Sequence, residues 1–155
     1  MSFINNIGQP TFEPTGLGPL APDFSVRTLE GGTFSLSAQQ GKPVILFFMA
    51  YWCGTCVPEA RSLTVLHERY KDQGAVIVAL DVDPSSSAEA LRTFKGWSDN
   101  GEYVWAFDGD NAVARAFGVS ALDTTIVINR AGEIVYRDFY PTVYEILEEQ
   151  LLLVL

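Results

Sequence analysis

The 155-residue sequence is short of cysteine, histidine and positive charge, and each shortage removes a class of function. Its two cysteines lie together in Cys53-Gly54-Thr55-Cys56. A small protein stapled by disulfides needs more cysteines at wider spacing, so that framework is excluded. His67 is the single histidine. A structural zinc site, which takes about four Cys and His ligands, cannot be built from this stock. Lys and Arg number 10 against 19 Asp and Glu, for a net charge of −9. Nucleic acid, which needs clustered cations, is therefore excluded as a partner, and an anionic membrane surface fits poorly. No apolar run approaches the length of about twenty residues that crosses a bilayer. Met1 to Gly8 also lacks the basic start and apolar stretch of a signal peptide. The protein is expected either in the cytoplasm or outside it, with its export signal or anchor beyond this sequence.

What remains is an acidic, soluble chain of one-domain length, with enough apolar residues for a sizeable core. Residues 1–20, rich in Gly and Pro, read as a flexible N-terminal arm or linker, and 21–155 as the folded domain. Phe24 to Val26 and Thr33 to Leu36 predict short strands around Gly31-Gly32. Val44 to Ala50 is an unbroken apolar run, the pattern of a strand buried on both faces. A helix is predicted from Cys53 to about Gln73, stopped by Gly74 and presenting Leu63, Leu66 and Tyr70. Ala75 to Val82 predicts a second buried strand. Ser86-Ser87-Ala88-Glu89 has capping-box spacing before a helix that runs to about Phe94. Beyond lie a short strand (Tyr103 to Phe107) and a short helix (Asn111 to Phe117). A hairpin (Thr124 to Asn129, Glu133 to Phe139) and a last helix (Thr142 to Leu155) follow. That helix carries Val143, Leu147, Leu151 and Val154 on one face. Alternating strands and helices with a closing hairpin predict an α/β fold, a three-layer sandwich around a mixed sheet.

Two cysteines three apart at a helix start bring their sulfurs within disulfide reach with little backbone distortion. Unpaired backbone N–H groups there favour a thiolate at Cys53, the nucleophilic form. Cys56, a turn deeper, is placed to attack the resulting mixed disulfide and release the partner. Placement directly after a buried strand separates this pair from a chance Cys-x-x-Cys, and Trp52 offers a docking surface beside it.

Several motifs then fall in a familiar order. They are Ala21-Pro22-Asp23-Phe24, Gly41-Lys42-Pro43, Tyr51-Trp52-Cys53-Gly54-Thr55-Cys56, Gly118-Val119 and Thr124-Thr125-Ile126-Val127-Ile128-Asn129. In this order the chain resembles the TlpA/ResA-like thioredoxins, within the wider redoxin and AhpC/TSA-like superfamily, over about residues 20 to 155. The resemblance implies a thioredoxin-like α/β/α fold and a thiol–disulfide oxidoreductase that needs no cofactor and no metal. It implies protein disulfide substrates, for example the haem-site thiols of an apocytochrome c. It also implies a membrane thiol-transfer donor, a tether outside the cytoplasmic membrane, and a monomer. Glu59 matches a carboxylate position near the dithiol and is carried over as proton acceptor for Cys56; an exposed first-turn glutamate is the plainer alternative. Trp52, Leu122, Asp123 and Thr124 are carried over as substrate-binding.

Two positions depart from the family pattern. A cis-proline normally precedes the Thr-Thr strand, and here that position is Asp123. A cis bond before a non-proline costs ~2.5–4 kcal/mol, so Leu122–Asp123 is expected trans. Asp123 is open to three roles: an anion that disfavours the Cys53 thiolate and slows its attack, a proton shuttle, or a third metal ligand with Cys53 and Cys56. A solvated turn aspartate is the fourth possibility. Phe47 stands where thioredoxins often carry a buried acid or amide, which closes that proton route and leaves Glu59 or Asp123.

Peroxidase chemistry of the Pro-x-x-x-Thr-x-x-Cys kind is disfavoured, because Leu46 and Ala50 hold the proline and threonine places. A Sco-type copper chaperone needs a wider cysteine spacing and a distal histidine, whereas His67 is expected exposed on the helix. A non-catalytic thioredoxin-like module, binding a partner or carrying metal, is the alternative to the oxidoreductase. Gly54-Thr55 leaves the direction of catalysis open.

Overall fold

The structure, a computed structural model, describes residues 15–155. A hairpin of β1 (Ser25–Arg27) and β2 (Thr33–Ser35) precedes β3 (Val44–Met49) and α1 (Cys56–Tyr70). Then come β4 (Val76–Asp81), α2 (Ala88–Trp97), β5 (Val104–Phe107), α3 (Ala112–Ala116), β6 (Thr124–Ile128), β7 (Ile134–Phe139) and α4 (Tyr144–Leu152). The main sheet runs β5-β4-β3-β6-β7, with β3, β4 and β5 parallel and β6 and β7 antiparallel. This is the mixed sheet that the alternating pattern predicts.

β3 is central, which explains its composition. All six of its residues are buried, and strand alternation sends them to opposite faces. Ile45, Phe47 and Met49 join a cluster with Leu63 and Leu66 of α1, Phe94 of α2, and Leu147 and Leu151 of α4. Leu46 and Phe48 join a second cluster with Val113 of α3, Phe117, and Val26 and Phe34 of the hairpin. One outer layer is therefore three helices, and the other is a short helix plus the β1–β2 hairpin. Each buried large aliphatic or aromatic side chain contributes ~1.5–3 kcal/mol of transfer free energy, so the sheet centre anchors whatever sits at its ends.

Several local expectations are corrected. Helix α1 begins at Cys56 rather than Cys53. The chain leaves β3 through two successive tight turns, the Cys53 amide donating to Ala50 O and the Cys56 amide to Cys53 O. Pro58 falls in the first helical turn, where a missing N–H costs nothing. The cap of α2 is Ser87, whose hydroxyl accepts from the Ala90 amide; Ser86 bonds the Asp81 carboxylate instead. Val143 is exposed, so the buried face of α4 reduces to Leu147 and Leu151, with Val154 packed against it. His67 is half-buried, with its ring edge-on to Tyr103, rather than exposed.

Residues 1–14 of the expected arm lie outside the described residues. Residues 15–20 are held against the β6–β7 turn. The Thr15 and Gly16 amides donate to the Glu133 carboxylate, the Ile134 amide donates to Pro19 O, and Leu20 bridges Glu133. Gly18 runs so close to Ile134 that an added Cβ would meet its carbonyl oxygen. The glycine there is a requirement of this close approach.

Candidate active site

The central strand delivers the dithiol to the carboxyl end of the parallel strands, the end where open α/β sheets place their ligands. Cys53 and Cys56 are joined as a disulfide with Cα atoms 5.3 Å apart, a separation that needs no backbone movement to bridge. Cys56 has no exposed surface, while Cys53 retains a little. The pair belongs to the same buried cluster as Phe47 and Met49, on the three-helix side of the sheet. Phe47 is fully buried there and offers the cluster only hydrocarbon, so it can pass no proton.

Trp52 is 58 % exposed beside the disulfide. Its indole N–H donates to the Asp83 carboxylate, and Tyr51 shares a hydrogen bond of 3.0 Å with Ser85. These contacts tie the turn after β3 to the loop after β4, so an exposed aromatic is held in one orientation.

β6 brings the second loop. Thr124 pairs with Phe48, and the Asp123 amide donates to Phe48 O at 3.0 Å. No peptide bond among the described residues is cis, and the Leu122–Asp123 bond is trans. Asp123 has φ of 62°, in the left-handed region that aspartate tolerates better than most residues. Proline can adopt neither that φ nor that amide bond, so this loop is remade around Asp123. Asp123 is buried, which corrects the solvated turn residue considered above. One carboxylate oxygen accepts from Thr55 Oγ1 at 2.9 Å, and the same hydroxyl lies 3.3 Å from Cys53 Sγ. The other oxygen, Oδ1, is buried with no hydrogen-bond partner. Burial pushes the Asp123 carboxyl above its ordinary value, opposed by the Thr55 bond and assisted by Asp138.

Thr55 occupies the N-cap position of α1 yet makes no cap bond. A capping hydroxyl is typically worth ~1 kcal/mol; here it is diverted to the dithiol and Asp123. Leu122 is half-buried and lines a cavity of about 370 Å³ with Phe48, Val82, Asn111 and Arg115. Thr124 turns its hydroxyl to Ala121 O at 2.7 Å and so shapes the loop.

Glu59 is 1 % exposed, not a solvated first-turn residue. It lies one helical turn beyond Cys56 on the same buried face. Thr125 Oγ1 donates to its Oε2, and the Thr142 amide donates to Oε1 at 2.9 Å. The same two threonines hold Asp138: the Thr125 amide donates to its Oδ1 and Thr142 Oγ1 to its Oδ2. Each threonine thus serves both carboxyls, one through its amide and the other through its hydroxyl. Burial pushes the Glu59 carboxyl up to about 8, outweighing the Thr125 and Thr142 bonds, with Asp138 and Asp123 adding to the rise. A buried acid with that affinity holds its proton at neutral pH and yields it slightly above.

Thr55, Thr125, Asp138 and Thr142 escaped the sequence reading. Asp138 alone had a signal, since strand alternation puts it on the same face as Tyr136.

Comparison with known proteins identifies the family of the chain. The AhpC/TSA family model matches residues 17–137. The thiol-disulfide oxidoreductase ResA of Bacillus thuringiensis subsp. konkukian is 32% identical over 139 residues, covering 90% of this chain and 79% of the relative. ResA of Bacillus subtilis is 35% identical over 118 residues, covering 76% and 64%. Among solved structures, a DsbE-type thiol:disulfide interchange protein from Chlorobium tepidum superposes with a TM-score of 0.78. It is 30% identical, with 88% of this chain and 96% of that one covered. MTB DsbF, at 22% identity, shares the fold with a TM-score of 0.79, covering 89% and 99%. The chain belongs to the AhpC/TSA family, as one of its thioredoxin-fold thiol–disulfide oxidoreductases.

Proposed function

We propose that the protein works as a reductase of disulfides in partner proteins, with Cys53 as the attacking sulfur and Cys56 as the resolving one. The observation that carries this is the difference in burial across one pair: Cys53 touches the surface beside exposed Trp52, and Cys56 does not.

Cys53 thiolate attacks one substrate sulfur, forming a mixed disulfide and expelling the other sulfur as a thiolate. Cys56 then loses its proton and attacks Cys53 Sγ. The Cys53–Cys56 bond forms, the substrate sulfur that Cys53 held leaves as a thiolate, and two electrons have passed to the substrate. Because Cys56 is closed to solvent, its proton must leave through protein groups. Glu59 is the acceptor, in the ionised fraction that a carboxyl of about 8 retains near neutrality. Exposed Trp52 and half-buried Leu122 form the docking edge, with buried Asp123 and Thr124 shaping the loop behind it. The Asp123 amide is already committed to Phe48 O, so substrate contacts in this loop come from side chains and from its remaining carbonyls.

The proposal extends to place and partner. The protein would act outside the cytoplasmic membrane as a tethered monomer, be re-reduced by a membrane thiol donor, and serve substrates such as the haem-site cysteines of an apocytochrome c. The family resemblance supports this part. Among the described residues no helix is long and apolar enough to cross a membrane.

A single-turnover assay tests the reaction. One equivalent of a peptide bearing an intramolecular disulfide, mixed with reduced protein and a metal chelator, is expected to leave as the dithiol. The protein should gain the Cys53–Cys56 disulfide in equal amount, read by alkylation and mass spectrometry. Retention of both protein thiols against an unchanged peptide would overturn it.

A further inference from the structure

The remade loop gives this dithiol a third neighbour. Cys53 Sγ, Cys56 Sγ and a carboxylate oxygen of Asp123 all lie within 4.8 Å of one another, and all three residues are buried. Thr55 fixes one oxygen of Asp123. The other is buried without a partner in a residue 3 % exposed. An orphaned carboxylate oxygen this deep costs desolvation free energy unless something meets it.

We propose that the reduced protein binds a divalent, thiophilic cation of the zinc class through Cys53, Cys56 and Asp123, and that the disulfide closes this site. Tetrahedral coordination with Zn–S of ~2.3 Å and Zn–O of ~2.0–2.2 Å needs donor separations of about 3.3–3.8 Å, which reduction of the sulfur–sulfur bond makes reachable. Two thiolates and one carboxylate suit a borderline ion such as Zn²⁺ better than Cu⁺, which prefers sulfur alone. Three protein ligands leave a fourth position open, so the ion is exchangeable rather than structural. Thr55 acts from outside the ligand set, orienting the carboxylate through its other oxygen. Binding is pure coordination: the thiols release protons, no electron moves, and the metal-bound protein is withheld from disulfide exchange.

The inference needs a reducible pair and so rests on the dithiol reading, but the two fail separately. Reduced, metal-free protein is titrated anaerobically with Zn²⁺ against a chromophoric chelator, and with Co²⁺ while thiolate-to-metal absorption is recorded. One ion per chain is expected, with sulfur-to-cobalt bands, and none in the oxidised protein. Asp123→Asn tolerates the same backbone and keeps the amide bond to Phe48, and is expected to bind Zn²⁺ about 10–100-fold more weakly. Asp123→Ala should do the same, with an altered cobalt spectrum. Equal affinity in wild type and both variants, uptake by the oxidised form, or no uptake by the reduced form would each overturn the metal site. The chelator-treated single-turnover assay would still stand in any of these cases. Its failure would remove the reductase and leave the metal titration to be judged alone.

Discussion

Cys56→Ser is expected to stall as a covalent one-to-one adduct with its substrate, whereas Cys53→Ser forms no adduct at all. The cause lies in the burial of the two sulfurs. A substrate disulfide approaching beside Trp52 meets Cys53, and Cys56 is screened behind it with no exposed surface. Without Cys56 the mixed disulfide has no internal thiol to resolve it. Both variants should lose turnover by on the order of 10³-fold or more, since the electron pair can no longer be completed within one chain. Non-reducing electrophoresis and intact mass separate them: the adduct mass appears for Cys56→Ser and not for Cys53→Ser. An adduct through Cys56 in the Cys53→Ser protein would reverse the two roles. Both thiols sit in a well-packed cluster, and serine there keeps the volume nearly constant, so the variants should fold.

Glu59→Gln is expected to slow resolution of the mixed disulfide by about 10²-fold, the low end for loss of a positioned acid–base group. Its pH profile should also change. In the wild type, the rising limb includes ionisation of Glu59 at about 8; in the variant only the thiols remain. The groups facing this carboxyl are Asp138 from β7, Asp123 from the loop before β6 and Tyr103 from just before β5. Asp138 and Asp123 each disfavour its charge.

The same substitution reads out in stability. A carboxyl near 4.5 in the unfolded chain and about 8 in the folded one keeps its proton longer when folded. Folded protein therefore binds more protons than unfolded protein between those values, and stability falls as pH rises through that window. At ~1.4 kcal/mol per pH unit the loss has an upper bound of about 5 kcal/mol, complete only above pH 8. Glutamine mimics the protonated acid and should flatten the slope. Denaturant melts at pH 5 and pH 9 decide the matter. The wild type should lose the larger share of its stability at pH 9, and equal losses in both proteins would place the titration elsewhere.

Much of the fold could be read from residue patterns, because its strongest signals are local. The apolar run of β3 announces a central strand, and Gly74, in left-handed backbone, closes the α1 segment where expected. Helix α1 starts one turn later than a Cys-x-x-Cys at a helix start predicts, because two tight turns come first. Glu59 shows how a site escapes a residue-type reading. A glutamate in a first helical turn is ordinarily exposed, yet its place with Cys56, Ala60, Leu63 and Leu66 puts it on the buried stripe. Periodicity outranks residue type there. Asp123 lay beyond such signals. Its burial follows from the meeting of β6 with the end of β3, and its left-handed backbone from a loop no pattern specifies. Thr125, Asp138 and Thr142 likewise gain their roles only when β6, β7 and the start of α4 converge on Glu59.

The most direct test of the central claim is a redox equilibrium. Protein is equilibrated in glutathione and dithiothreitol buffers at a series of potentials, and Trp fluorescence reports the state of the pair beside Trp52. The expected result is one reversible two-electron transition, near ~−270 mV for a thioredoxin-like reductant, that disappears in Cys53→Ser. No reversible transition, or one that survives without Cys53, would contradict the assignment of the Cys53–Cys56 pair as the working centre.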